Sequence, residues 1–122
     1  MDVNRRWVLL EHTGATGDQC DIHFDLLLED KSNCRTWRLE SLPVLDGSSV
    51  KATLLSPHGL KWLGRDKAPV SGGRGWARRL ASGVFVGNLP DVDNEPVFIQ
   101  LKGSGLQGIL EIKENFCKIC SN

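Results

Sequence analysis

No apolar run in this 122-residue sequence approaches the ~18 residues a bilayer-spanning helix needs. The opening residues, Met-Asp-Val-Asn-Arg-Arg-Trp, lack the apolar stretch of a secretory signal. Net charge is also absent, because 15 Lys+Arg offset 15 Asp+Glu. That balance excludes a uniformly basic nucleic-acid binder but leaves room for a local basic surface. No stretch keeps a 3.6-residue apolar period, and no repeat, low-complexity tract or interdomain linker interrupts the chain. P-loop, dinucleotide, Gly-x-Ser-x-Gly, His-Glu-x-x-His and EF-hand patterns are missing too. What remains is a chain 40% hydrophobic and 25% charged, which argues for a folded globule over disorder. The length predicts one domain over 1–122, a monomer whose core needs no disulfide or metal. Four cysteines without a leader predict free thiols in a reducing, cytoplasmic compartment, with no membrane partner.

The apolar residues fall in short runs rich in Val, Ile, Leu, Phe and Trp, cut by Gly, Pro, Asn and Asp. Such runs predict strands at 6–12, 22–29, 36–40, 51–55, 76–80, 83–87, 96–102 and 106–113. About eight short antiparallel strands in one domain predict an all-β fold, a small closed β-barrel that leaves no edge exposed. Residues 117–122 read as a loose tail. Cys117 and Cys120 have the spacing of a zinc half-site but no second pair to complete it.

Charge is unevenly placed. Six acids (Glu11, Asp18, Asp21, Asp25, Glu29, Asp30) occupy 11–30 with no Lys or Arg between them. Six bases (Lys61, Arg65, Lys67, Arg74, Arg78, Arg79) occupy 61–79 with one acid, Asp66. Two solvated faces would give this pattern. So would a cation site beside an anion site, the arrangement of a metal-dependent centre acting on a phosphate ester.

On a strand over 22–29, Ile22, Phe24, Leu26 and Leu28 share one apolar face, and His23, Asp25, Leu27 and Glu29 share the other. His12 ends the preceding strand. If the two strands pair, His12, His23 and Asp25 meet as two imidazoles and one carboxylate, a donor set for Mn, Zn or Fe(II) with positions left open. His58, between Pro57 and Gly59, lies at a turn, where it is a candidate phosphate donor or general acid/base. The glycine-rich stretch 71–75, with Arg74 inside it and Arg78 and Arg79 beyond, is a candidate anion nest or a plain barrel turn. Trp62 and Trp76 are candidate base-stacking residues; Trp7 and Trp37, each within a strand, read as core.

Taken in order, Glu11-His12, His23-Phe24-Asp25-Leu26-Leu27-Leu28-Glu29, Thr36-Trp37-Arg38-Leu39, Pro57-His58 and Pro69-Val70-Ser71-Gly72-Gly73-Arg74-Gly75 resemble the phosphoesterase domain of bacterial DNA ligase D, and more closely its stand-alone relatives. The resemblance spans about residues 5–113. It implies a small β-barrel that binds a divalent metal, typically manganese, through His12, His23 and Asp25. It implies that His58 contacts a substrate phosphate. The implied activity trims DNA 3′ ends of a terminal ribonucleoside and then a 3′-phosphate, readying them for a repair polymerase or ligase. The alternative is a metal-containing module that binds phosphorylated ends without cutting, or a domain with no metal at all.

The sequence departs from that family in several places. Leu27 stands where the family has an arginine two residues after the metal-binding aspartate, and it is expected to border the site. Val50, beside Lys51, stands where a second arginine is expected. Trp62 replaces a tyrosine. The spacing from His12 to His23 is longer than in ligase D. Arg38, Arg74, Arg78 and Arg79 are the candidates to supply the missing cation to phosphate or nucleic acid.

Overall fold

The computed structural model of the chain describes residues 5–14, 22–70 and 75–122. Among these are nine strands: β1 (Arg5–Thr13), β2 (Ile22–Glu29), β3 (Cys34–Leu39), β4 (Val50–His58), β5 (Lys67–Pro69), β6 (Trp76–Val86), β7 (Val97–Ser104), β8 (Gly108–Lys113) and β9 (Phe116–Cys120). A single 3₁₀ turn, Leu60–Gly64, joins β4 to β5. The strands hydrogen-bond in the order β1-β2-β3-β4-β9-β8-β7-β6, and β6 returns to β1, so eight antiparallel strands close a barrel. The ninth, β5, pairs with β6 outside the closure. The all-β barrel expected from the short apolar runs is therefore the fold. No helix among the described residues is long and apolar enough to cross a membrane.

Alternation along the strands builds the interior. Trp7 and Leu9 of β1, Leu26 and Leu28 of β2, and Trp37 and Leu39 of β3 point inward to meet Phe85, Val97, Leu101, Leu110 and Ile119. The Trp7 indole N–H donates to the carbonyls of Val84 and Lys102 at 3.1 and 3.2 Å, so this large ring is buried without an orphaned donor. Opposite Trp7 lies Gly83, where a Cβ would run into the Lys102 carbonyl; glycine lets β6 and β7 approach there.

Two expectations are corrected. Residues 117–122 are not a loose tail. Cys117 and Ile119 are fully buried on β9, which bridges β8 and β4 and closes the barrel. The hairpin that delivers β9 has positive φ at both central residues, Glu114 and Asn115, as a type I′ turn requires. The chain end is then fastened by Asp46, whose carboxylate accepts from the Ser121 N–H at 2.8 Å and is held below the usual carboxylate range by that bond. Second, the strands expected at 76–80 and 83–87 are one strand, β6. Its partner β1 sees a register shift between Leu9 (facing Ala81) and Leu10 (facing Arg79), a bulge at Leu80 that continues the ladder.

A second apolar cluster lies on the outside of the barrel. Val8, Leu10, Leu27, Cys34 and Ala77 face outward from β1, β2, β3 and β6, and Leu63 of the 3₁₀ turn seals them, with Leu60, Trp62 and Val70 at the margin. Strands β1 and β2 are apolar on both faces here, so both faces need cover, and the 3₁₀ turn provides the outer one.

Candidate functional site

The outer faces of β1 and β2 carry matched rows set by their register. From the open end these are His12 with His23, Leu10 with Asp25 and Val8 with Leu27, followed by Arg6 and Glu29. The last pair is an ion pair at 3.4 Å. The two histidines expected to approach each other are direct cross-strand neighbours, with ring centres 6.3 Å apart and planes tilted by 37°.

Asp25 is the buried carboxylate of this surface. Its register partner on β3 is Arg38, whose Nε reaches Asp25 Oδ1 at 3.3 Å. From the end of β4, His58 turns its Nε2 to 4.0 Å from Asp25 Oδ2. The His58 Nδ1 lies 3.2 Å from the Ser56 carbonyl, which only accepts, so this nitrogen carries the hydrogen and the ring is oriented. An arginine, an aspartate and a histidine from three strands thus meet at one point.

They meet in a cleft of about 740 Å³ between the barrel wall, the 3₁₀ turn and β5. Its lining includes His12, Asp25, Arg38, His58, Lys61, Trp62 and Arg65. Among the described residues three basic side chains, Arg38, Lys61 and Arg65, face it against one acid, Asp25, which makes the cleft an attractive place for an anion. The Arg65 guanidinium carbon stands 5.3 Å above the Trp62 ring.

Several expected residues lie elsewhere. His23 lines a neighbouring hollow with Lys51, Thr53 and Arg38, so Arg38 stands between the two spaces. Arg78 faces the other side of β6, in a separate depression with Glu11, to which it is paired at 3.1 Å. Arg79 is paired with Asp66. Arg74 lies outside the described residues. Leu27 does not border the cleft: it is fully buried under the 3₁₀ turn, because its row on the outer face is the one that Leu63 covers. Of the acidic run, Asp18 and Asp21 lie outside the described residues, and the other four acids are spread out rather than gathered. Glu11, Asp25, Glu29 and Asp30 each have an arginine, the last pairing with Arg35 at 2.9 Å.

Two imidazoles and a carboxylate are a fitting donor set for Mn or Zn. A shared ion with bonds of ~2.1 Å would bring cis imidazole centres to roughly 5 Å, closer than the 6.3 Å between His12 and His23 here. As placed, no three His, Cys, Asp or Glu side chains among the described residues converge tightly enough to hold an ion.

Sequence reasoning counted Lys61 and Arg65 only as part of a basic segment. The signal for their role was Leu60-Lys61-Trp62-Leu63, a short amphipathic stretch directly after His58, too brief to read as an element. No family model matches the chain, and no curated protein matches it either.

Proposed function

We propose that the cleft binds the phosphorylated 3′ end of a nucleic acid and, with a divalent ion, hydrolyses the phosphate ester, in the manner that the resemblance to ligase D phosphoesterase domains implies. The observation that carries this reading is the meeting of Arg38, Asp25 and His58 in a cleft with surplus positive charge. Arg38 offers the cation that Leu27 does not. Its planar fork suits two phosphate oxygens, and a phosphate competes with Asp25 for it. His58 presents Nε2 to the phosphate; because Nδ1 already donates to Ser56, Nε2 donates to a phosphate oxygen only when both ring nitrogens carry hydrogens. His12, His23 and Asp25 are the residues to hold the ion. When bound, the ion supplies a polarised phosphoryl oxygen and an activated water. In the overall reaction a water oxygen bonds to phosphorus as the ester P–O bond breaks, and the departing 3′ oxygen takes up a proton to become a hydroxyl. The product end is then open to a repair polymerase or ligase.

One observation favours the non-catalytic reading: the Asp25 carboxylate is already engaged by Arg38 and faced by His58. An oligonucleotide bearing a 3′-phosphate, incubated with the protein and manganese, separates the two. Release of inorganic phosphate, reduced ~10²–10³-fold by His58→Ala or Arg38→Ala, fits the hydrolase. Tight binding with no release fits the binder, and neither binding nor release ends both.

A further inference from the structure

We infer that the cleft takes an unpaired terminal nucleotide, with its phosphate at the Arg38–His58 end and its base against Trp62. This inference rests on the anion-binding reading above and adds the part of the ligand that carries no charge. The sheet order divides the lining into two halves. Asp25, Arg38 and His58 come from β2, β3 and β4, and they make one side polar. Leu10, Ala77, Pro69 and Val70 come from β1, β6, β5 and its end, and they make the other side apolar. His12 stands on the boundary. Three strand spacings of ~4.8 Å separate β3 from β6, so the lining is wider than an inorganic phosphate needs.

The volume points the same way. About 740 Å³ is in the range of sites that enclose a whole small molecule, well beyond the needs of one phosphate group. The aromatic wall has a planar partner already: Arg65 lies over Trp62, and both indole and guanidinium are surfaces on which nucleic-acid bases stack. Arg65 is exposed, so it can lift off to admit a base and cap its outer face. A base inside a duplex is already stacked and paired, so this wall selects an end whose last base is free. A phosphopeptide or sugar phosphate would satisfy the polar half and leave the planar half unused.

Calorimetric titration against five probes tests this. They are a single strand with a 3′-phosphate, the same end in a blunt duplex, the same strand ending in an abasic 3′-phosphate, a phosphoserine peptide, and inorganic phosphate. The base-bearing single strand is expected to bind most tightly. Trp62→Leu keeps apolar bulk but removes the π-face. It is expected to weaken the base-bearing end about 5- to 150-fold, and the abasic end far less. Trp62→Phe should recover most of the loss. Abasic, duplex or peptide probes binding as tightly as the base-bearing strand would overturn the inference and leave phosphate binding standing. An equal loss for base-bearing and abasic ends in Trp62→Leu would overturn it too. Failure of every probe, inorganic phosphate included, would remove the anion-cleft reading and this inference together.

Discussion

The barrel has two very different outsides. Along β1, β2 and β6 the outward residues Val8, Leu10, Leu27 and Ala77 are buried beneath the 3₁₀ turn, and the cleft opens at the edge of that cover. Along β7, β8 and β9 the outward residues Phe98, Ile109 and Phe116 stand exposed around an ion pair of Lys118 with Glu111. Both surfaces belong to one closed sheet and share one interior. The difference lies in what crosses over them. A chain segment laid on the outer face of the first creates a concave junction between sheet and cover, and such junctions gather side chains from several strands. The second has no cover among the described residues, so its side chains diverge with the curvature of the barrel.

Charge insertion should separate the two surfaces most. Leu27→Arg places an unpaired charge under the 3₁₀ turn, and a loss of about 3–5 kcal/mol is expected in urea denaturation. It should raise no activity, although the ligase D domain that the sequence resembles has an arginine there. Phe98→Arg on the open face should change stability by no more than ~0.5 kcal/mol. Equal effects would mean that the 3₁₀ turn does not cover Leu27 in solution.

Ion pairs of nearly the same length sharpen the contrast at the next level. Arg38 meets Asp25 at 3.3 Å and Lys118 meets Glu111 at 3.2 Å, but Asp25 is buried and Lys118 is exposed. Arg38→Ala strands a buried carboxylate and should cost about 1–3 kcal/mol, while weakening 3′-phosphate binding and its salt dependence. Lys118→Ala should leave both the unfolding midpoint and ligand binding unchanged. A neutral result for Arg38→Ala would show that Asp25 is solvated without it.

The smallest effect compares the covered outer face with the interior itself. Burial pushes the Cys34 thiol, in the outer cluster, up to about 11 and the Cys117 thiol, in the interior, up to about 12. Unfolded thiols ionise near ~8.5, so the folded chain holds protons that the unfolded chain gives up above that pH. This stabilisation is whole below ~8.5 and is lost as pH rises toward each folded value, at up to ~1.4 kcal/mol per pH unit for each thiol. Denaturation curves between pH 8 and 11 should show the decline, and Cys117→Ala should flatten it. Cys120, partly exposed, should react with a thiol reagent at pH 8 before Cys34 and Cys117 do, as peptide mapping would show. Early labelling of Cys34 would mean that the cover over the outer cluster opens.

Much of this molecule was legible in its sequence. The alternation of Ile22, Phe24, Leu26 and Leu28 against His23, Asp25 and Leu27 assigned two faces to one strand, because a pleated backbone sends neighbours to opposite sides. Val8-Leu9-Leu10 and Leu26-Leu27-Leu28 also carried a signal that went unread: an unbroken apolar run marks a strand with cover on both faces. The tail was misread because Cys117 and Ile119 are only two inward residues, and the turn before them, Glu114-Asn115, lacks the glycine that marks most hairpins of its kind.

Which charges meet was beyond the sequence. Local pattern fixed the face on which Asp25 lies, but three separate strand registers decided that Arg38 and His58 converge on it. Leu27 shows the same limit. Its alternation put it correctly on the side of His23 and Asp25. Only the path of residues 60–64 across the barrel decided that it anchors the cover and does not touch the cleft. Period and composition act over a few bonds, whereas a cleft is the closing of long loops, and its geometry exists only once the whole sheet has found its register.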